Sequence, residues 1–263
     1  ITILVRSKEK AVQKYGALVD RNDLKIMVQD VCTSIASDHG FDYIVHAASA
    51  ASAKMFDDDP IGVFNSNVLG TENLISFIRE KPCKSMVYIS SFTVYGNETE
   101  KVESLDESFR GAEDWNSNRA AYSYGKRSAE FLCTAAWRKY NCPIRIVRPG
   151  FVYGTSTPDD SRVYSEIIRN VAEEHPIVLK SAGYVFRSMV YVTDVVRGII
   201  SCLLNGDDGE AYNIANEFVS IRQFAAIAAE KAQSNKVMLT FENEADKLAS
   251  SPQKTGGAMA VNK

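Results

Sequence analysis

Short apolar runs separated by long amphipathic stretches are the feature that most constrains this chain. "ITILV" (1–5), "LKIMV" (24–28), "YIVHAA" (43–48), "SMVYIS" (85–90) and "IRIVRP" (144–149) read as buried parallel strands. Between them, residues 60–80 place Val63, Val68, Leu74 and Phe77 at helical spacing behind Pro60. Residues 122–140 repeat small or apolar side chains at Ala129, Leu132 and Ala136, a second helix with a buried face. Strands alternating with helices predict a parallel sheet covered on both faces. The fold class is therefore α/β, doubly wound, with ligand sites at the carboxyl ends of the strands. After Pro149 the pattern loosens, and residues 155–188 and 217–263 read as a smaller lobe. The closing "SSPQKTGGAMAVNK" (250–263) reads as a loop.

With 263 residues, the chain can hold one large α/β domain with an appended lobe. Its net charge of -3 gives no basic face for nucleic acid, so no nucleic-acid partner is expected. No apolar run approaches the roughly 20 residues that span a bilayer, and no signal peptide is seen, so no membrane partner is expected. The five cysteines (Cys32, Cys83, Cys133, Cys142, Cys202) are scattered and form no CxxC. They read as free thiols of a reducing, cytoplasmic compartment. Three scattered histidines (His39, His46, His175) make a metal site an unfavoured reading.

Two segments carry chemistry. "MVYISSFTVYG" (Met86 to Gly96) is an apolar strand emptying into a hydroxyl-rich turn, where a hydroxyl can face a ligand or simply cap backbone groups. About thirty residues on, "YSYGK" sets Tyr122 and Lys126 four apart, on one helix face. Tyr124 points about 160° away from Tyr122. A phenol titrates near pH 10, and a neighbouring ammonium favours its phenolate, which would make it a usable base.

In this order, the motifs resemble the extended short-chain dehydrogenase/reductase family, specifically its nucleotide-sugar epimerase/dehydratase branch, over essentially the whole chain. The resemblance implies a Rossmann-like dinucleotide-binding domain over 1–154, to which 189–216 returns, with a substrate-binding lobe made of 155–188 and 217–263. "QDV" (29–31) sits where the family holds the adenine, implicating Asp30 and Val31. "HAAS" (46–49) lines the cofactor with Ala47 and Ala48, and "NVLGT" (67–71) carries the helix asparagine. "SSFTVYG" supplies Ser91, with Phe92 and Thr93 beside the substrate, and "YSYGK" supplies Tyr122 and Lys126. "RPGFVYG" (148–154) sets Pro149 beside the nicotinamide and Phe151 toward the substrate. "FRSMVYVTDVV" points to Arg187 and "DSRVYSEII" to Arg162 as substrate-diphosphate residues, and "AYNIAN" (211–216) resembles the last sheet strand. A homodimer through the 60–80 and 122–140 helices is implied as well.

The mechanism this implies has Tyr122 removing a proton from a sugar hydroxyl as hydride passes to the nicotinamide, leaving a keto-sugar. Lys126 lowers the tyrosine pKa and holds the ribose, and Ser91 orients the hydroxyl. Four departures qualify it. The family opens with a strand and a glycine-rich turn, whereas Ile1 begins what resembles the second strand; without the earlier one, two strand edges should stand open. Arg6 follows that strand where NAD-preferring members have an acid, so NADP is slightly preferred over NAD. Phe92 and Thr93 fill positions that are Asp-Glu in 4,6-dehydratases (decarboxylases keep the Glu), which disfavours 4,6-dehydration. Phe151 stands where the sugar branch has Asn. The expected activity is epimerisation or a related modification of a nucleotide sugar. An NADPH-dependent reductase of a keto-sugar or other carbonyl, and a non-catalytic cofactor sensor on the same fold, are the alternatives.

Overall fold

The computed structural model describes residues 1–49, 53–96, 104–117, 119–155, 160–243, 245 and 259–260. The chain divides into two compact units. One holds Ile1–Val94, Asp114–Ile146 and Cys202–Glu210; the other holds Tyr95–Glu113, Val147–Ser201 and Ala211–Lys263. In chain order the elements are β1 (Thr2–Val5), α1 (Lys8–Tyr15), β2 (Lys25–Val28), β3 (Tyr43–His46), α2 (Ala53–Asp58), α3 (Pro60–Glu80), β4 (Ser85–Ile89) and β5 (Ser104–Leu105). They continue with α4 (Ala120–Tyr140), β6 (Ile144–Pro149), β7 (Phe151–Tyr153), α5 (Val163–Ala172), β8 (Ile177–Leu179), β9 (Phe186–Tyr191) and α6 (Val192–Asn205). β10 (Ala211–Ile214), β11 (Glu217–Ser220), α7 (Ile221–Lys231), β12 (Leu239–Phe241) and β13 (Met259–Ala260) complete the order.

All five predicted strands form in the first 150 residues, within a residue or two of their expected limits. In the first unit β1 pairs in parallel with β2, and β3 with β4 in register from Tyr43–Ser85 to His46–Tyr88. The two pairs belong to separate sheets. Among the described residues β1 has only β2 as a neighbour, and β3 has only β4. The Met86 amide donates to Pro143 O at 2.8 Å, where β6 is about to begin.

α3 starts where Pro60 predicts, because Asp59 Oδ1 accepts from the Gly62 amide at 2.9 Å and caps the first turn. α3 and α4 approach closely at Gly125, where a Cβ would come within 3.3 Å of the Asn67 side chain and 3.5 Å of Phe64 Cα. Val63, Ile75 and Ile78 of α3 and Ala129, Cys133 and Ala136 of α4 are buried. Gly209 is held at φ +83°, and a Cβ there would overlap the Trp137 ring. Gly209→Ala is expected to lower stability by about 2 kcal/mol or more, read as a lower denaturant midpoint.

The second unit contains a three-stranded sheet in which β9 lies between β7, parallel to it, and β11, antiparallel. β8 and β12 pair in parallel beside a core of Ile167, Ile177, Leu179, Ala225 and Val237. α7 opens with a reciprocal cap: Ser220 Oγ accepts from the Gln223 amide, and Gln223 Oε1 accepts from the Ser220 amide. Arg148, buried, donates to Tyr95 Oη at 2.9 Å, and Tyr95 Oη donates to Asn213 Oδ1 at 2.6 Å. The expected terminal loop lies outside the described residues, except for Met259 and Ala260, which pair with Ser104 and Leu105. Among the described residues no side-chain group could hold a metal, and no helix is long and apolar enough to cross a membrane.

Candidate active site

Several of the residues singled out by sequence follow the carboxyl ends of strands. Arg6 stands exposed after β1. Asp30 and Val31 follow β2, where Asp30 Oδ1 accepts from the Cys32 amide at 2.8 Å. Val31 is buried against Gly70 of α3, and its carbonyl accepts from Asn73 Nδ2 at 2.9 Å. Ala47 and Ala48 follow β3, and the next residue, Ser49, donates to Asn67 Oδ1 at 2.9 Å. Asn67 is fully buried and donates from Nδ2 to Val63 O at 2.8 Å. The "HAAS" turn is thereby fastened to α3.

β4 delivers the hydroxyl turn. Ser91 Oγ accepts from the Thr93 amide at 3.3 Å within a short 3₁₀ turn over Phe92–Tyr95. Among the described residues the buried hydroxyls of Ser90 and Thr93 have no hydrogen-bond partner, a costly state that a bound polar ligand would relieve. Helix α4 then brings its pair together. Lys126 Nζ lies 5.7 Å from the Tyr122 ring centroid, whereas Tyr124 faces Arg127 at 5.9 Å. Lys126 is 3% exposed and donates to Ile89 O at 2.6 Å, two residues before Ser91. Burial pulls its pKa down to about 7, opposed through space by Glu130. Phe56 packs on the Tyr122 ring at 5.2 Å and lines a neighbouring cavity of about 590 Å³ with Pro60, Trp115 and Ala121.

Sequence reasoning passed over the groups beneath this pair. Tyr88, fully buried, places its ring 4.8 Å from Lys126 Nζ and 5.3 Å from the His46 ring. His46 Nε2 lies 3.0 Å from Thr71 Oγ1, which itself donates to Asn67 O. A run buried on both faces has no alternation to show which side chain meets α4, so "SMVYIS" hid Tyr88. Burial, then the Lys126 charge, lowers the His46 pKa to about 3. The unfolded chain therefore binds the extra proton between about pH 6.5 and pH 3, and stability should fall as pH falls through that window, by about 1.4 kcal/mol per unit. Urea midpoints at about pH 7 and pH 5 test this, and His46→Gln should flatten the difference.

In the second unit Pro149 ends β6, buried. Phe151, Arg162 and Arg187 form a chain of contacts with one unpredicted residue, Tyr164. Arg187 lies 5.1 Å over the Phe151 ring, Phe151 meets Tyr164 edge-on at 6.2 Å, and Arg162 lies 5.1 Å over Tyr164. Two arginines are thus joined through two rings. Arg162 also binds Asp160 through Nε at 2.8 Å, and that pairing holds the Asp160 carboxyl well below its usual range.

Residues 1–215 match the NAD dependent epimerase/dehydratase family. The chain belongs to that family. It is 28% identical over 208 residues to UDP-glucuronic acid decarboxylase 1 of Arabidopsis thaliana, covering 78% of this chain and 47% of the relative. It is 25% identical over 248 residues to human dTDP-D-glucose 4,6-dehydratase, covering 92% of this chain and 69% of that one. The chain thus spans about half the length of the decarboxylases it matches. Among solved structures, it superimposes on Bacillus cereus UDP-glucuronic acid 4-epimerase, solved with UDP-glucuronic acid and NAD, with a TM-score of 0.74. That match has 20% identity and covers 98% of this chain and 81% of the epimerase. At that identity the likeness establishes the Rossmann-like fold. The curated relatives that the chain matches include decarboxylases and 4,6-dehydratases.

Proposed function

We propose that this chain is the working part of an NAD(P)-dependent nucleotide-sugar epimerase, or a related sugar-modifying enzyme, acting through a keto-sugar. The observation that carries this reading is the contact between Tyr122 and a buried Lys126 beside the β4 hydroxyl turn. Tyr122, favoured as its phenolate by the Lys126 ammonium, takes the proton of a sugar hydroxyl at Oη and becomes the neutral phenol. Ser91 orients that hydroxyl, and Thr93, whose buried Oγ1 has no partner among the described residues, accepts or donates a hydrogen bond to the substrate.

A dinucleotide fits the residues that follow the parallel strands: Arg6, Asp30, Val31, Ala47, Ala48 and, from α4, Tyr122 and Lys126, with Pro149 assigned to its nicotinamide. When bound, the nicotinamide supplies the two-electron redox chemistry. Arg6 has the charge to meet a 2′-phosphate, which favours NADP. Cofactor binding is assigned to 1–154 with 189–216, and substrate binding to 155–188 and 217–263. There Arg162 and Arg187 take the diphosphate and Phe151 lies alongside. Phe92 and Thr93 offer no carboxyl for eliminating water, so 4,6-dehydration is disfavoured. A homodimer through α3 and α4 is consistent with exposed Ile61 and Phe131 on those helices. The cytoplasm is the expected compartment.

A second reading, an NADPH-dependent carbonyl reductase, rests on Arg6 together with the aromatic Phe151 where a phosphate-binding amide is expected. Thermal unfolding with NAD, NADP and a panel of UDP- and dTDP-sugars tests both. The first reading expects a rise of several degrees with at least one nucleotide sugar. Protection by NADPH alone would favour the reductase, and protection by no nucleotide would count against both.

A further inference from the structure

We propose that Tyr88 is a positioning residue whose buried ring, set against the Lys126 ammonium, keeps that amine charged inside the protein. The ring centroid lies 4.8 Å from Nζ, and both residues are almost wholly removed from water. There a cation is drawn to the negative face of an aromatic ring more strongly than at an exposed site. Ile89 O, at 2.6 Å, accounts for one ammonium proton. The other groups facing Lys126 offer little compensation. On α4 they are Tyr122, Glu130 and the buried Cys133 thiol; Glu130 acts through space. On β3, His46 is buried and neutral. On α3, the buried polar groups at this level, Asn67 and Thr71, are uncharged. The inference that Tyr88 thereby tunes Tyr122 rests on the catalytic reading of Lys126 given above.

The test is stability against pH for the protein without cofactor or substrate. Lys126 is depressed to about 7 in the fold and titrates near 10.4 when unfolded, so stability rises with pH between those values. Tyr88→Phe keeps the ring and should keep the onset of that rise near pH 7. Tyr88→Met fills similar space without a ring and should move the onset down by about 1 to 1.5 units. In a Lys126→Met background, Tyr88→Met should leave the pH dependence unchanged. Phenylalanines of increasing fluorination at position 88 preserve shape while weakening the ring's negative face, and should lower the onset step by step even if the methionine variant does not fold. At about pH 7, kcat/KM of Tyr88→Met should be about tenfold below that of Tyr88→Phe, following the lost fraction of charged Lys126. An onset that stays put across the fluorinated series overturns the proposal, whatever the activity. A shifted onset with no turnover of any nucleotide sugar would keep the role of Tyr88 and end the functional reading instead.

Discussion

Tyr122→Phe is expected to lower kcat by about 10² to 10⁴ while leaving dinucleotide and nucleotide-sugar affinity within a few-fold of the parent. The substitution removes only the oxygen that carries the proton. The ring that packs 5.2 Å from Phe56 remains, so the fold has little reason to change. Tyr124→Phe is the matched control. It sits in the same helix two residues on, but its ring faces Arg127, not Lys126, and its loss should cost no more than a few-fold. Equal losses in the two variants would place the chemistry elsewhere.

Lys126→Met is expected to cost about as much activity as Tyr122→Phe, for a different reason. Without the ammonium, the phenolate loses the neighbouring charge that favours it and becomes scarce at neutral pH. Its effect on the fold runs the other way. Burial holds Lys126 at about 7, so at and below neutral pH the folded chain carries the strain of a desolvated cation. Methionine removes that strain but leaves Ile89 O without its donor, a loss of about 1 to 3 kcal/mol. The sign of the net change matters less than its pH dependence. Between about pH 7 and 10 the parent should gain stability as pH rises, and the variant should show no such gain. Denaturant midpoints across that range read the difference directly.

The parallel-strand half of the molecule was legible because its signals are local and strong. Pro60 and Asp59 set the start of α3, and five apolar runs became five strands. Helix geometry alone was enough to pair Lys126 with Tyr122 over Tyr124. The second unit was harder to read. β7, β8 and β12 have three residues each, too short for an alternating pattern to emerge. The Ser220–Gln223 cap of α7 was a readable start signal that the looser pattern around it obscured. Within the site, what stayed hidden was whatever depends on distant segments meeting. Tyr88 under Lys126, His46 on Thr71 and Phe151 on Tyr164 are contacts across elements, and no spacing within one segment encodes them. The unpartnered hydroxyls of Ser90 and Thr93 likewise emerge only once burial is known.

The most direct test of the central claim, that Tyr122 and Lys126 are redox machinery for a nucleotide sugar, is the near-ultraviolet absorbance of reduced nicotinamide. The full-length protein would be mixed with NAD or NADP and each of a panel of UDP- and dTDP-sugars. At least one sugar should raise that absorbance in the parent and in Tyr124→Phe, and fail to do so in Tyr122→Phe and Lys126→Met. A rise of equal size and rate in Tyr122→Phe, or no rise in the parent with any nucleotide sugar, would contradict the account.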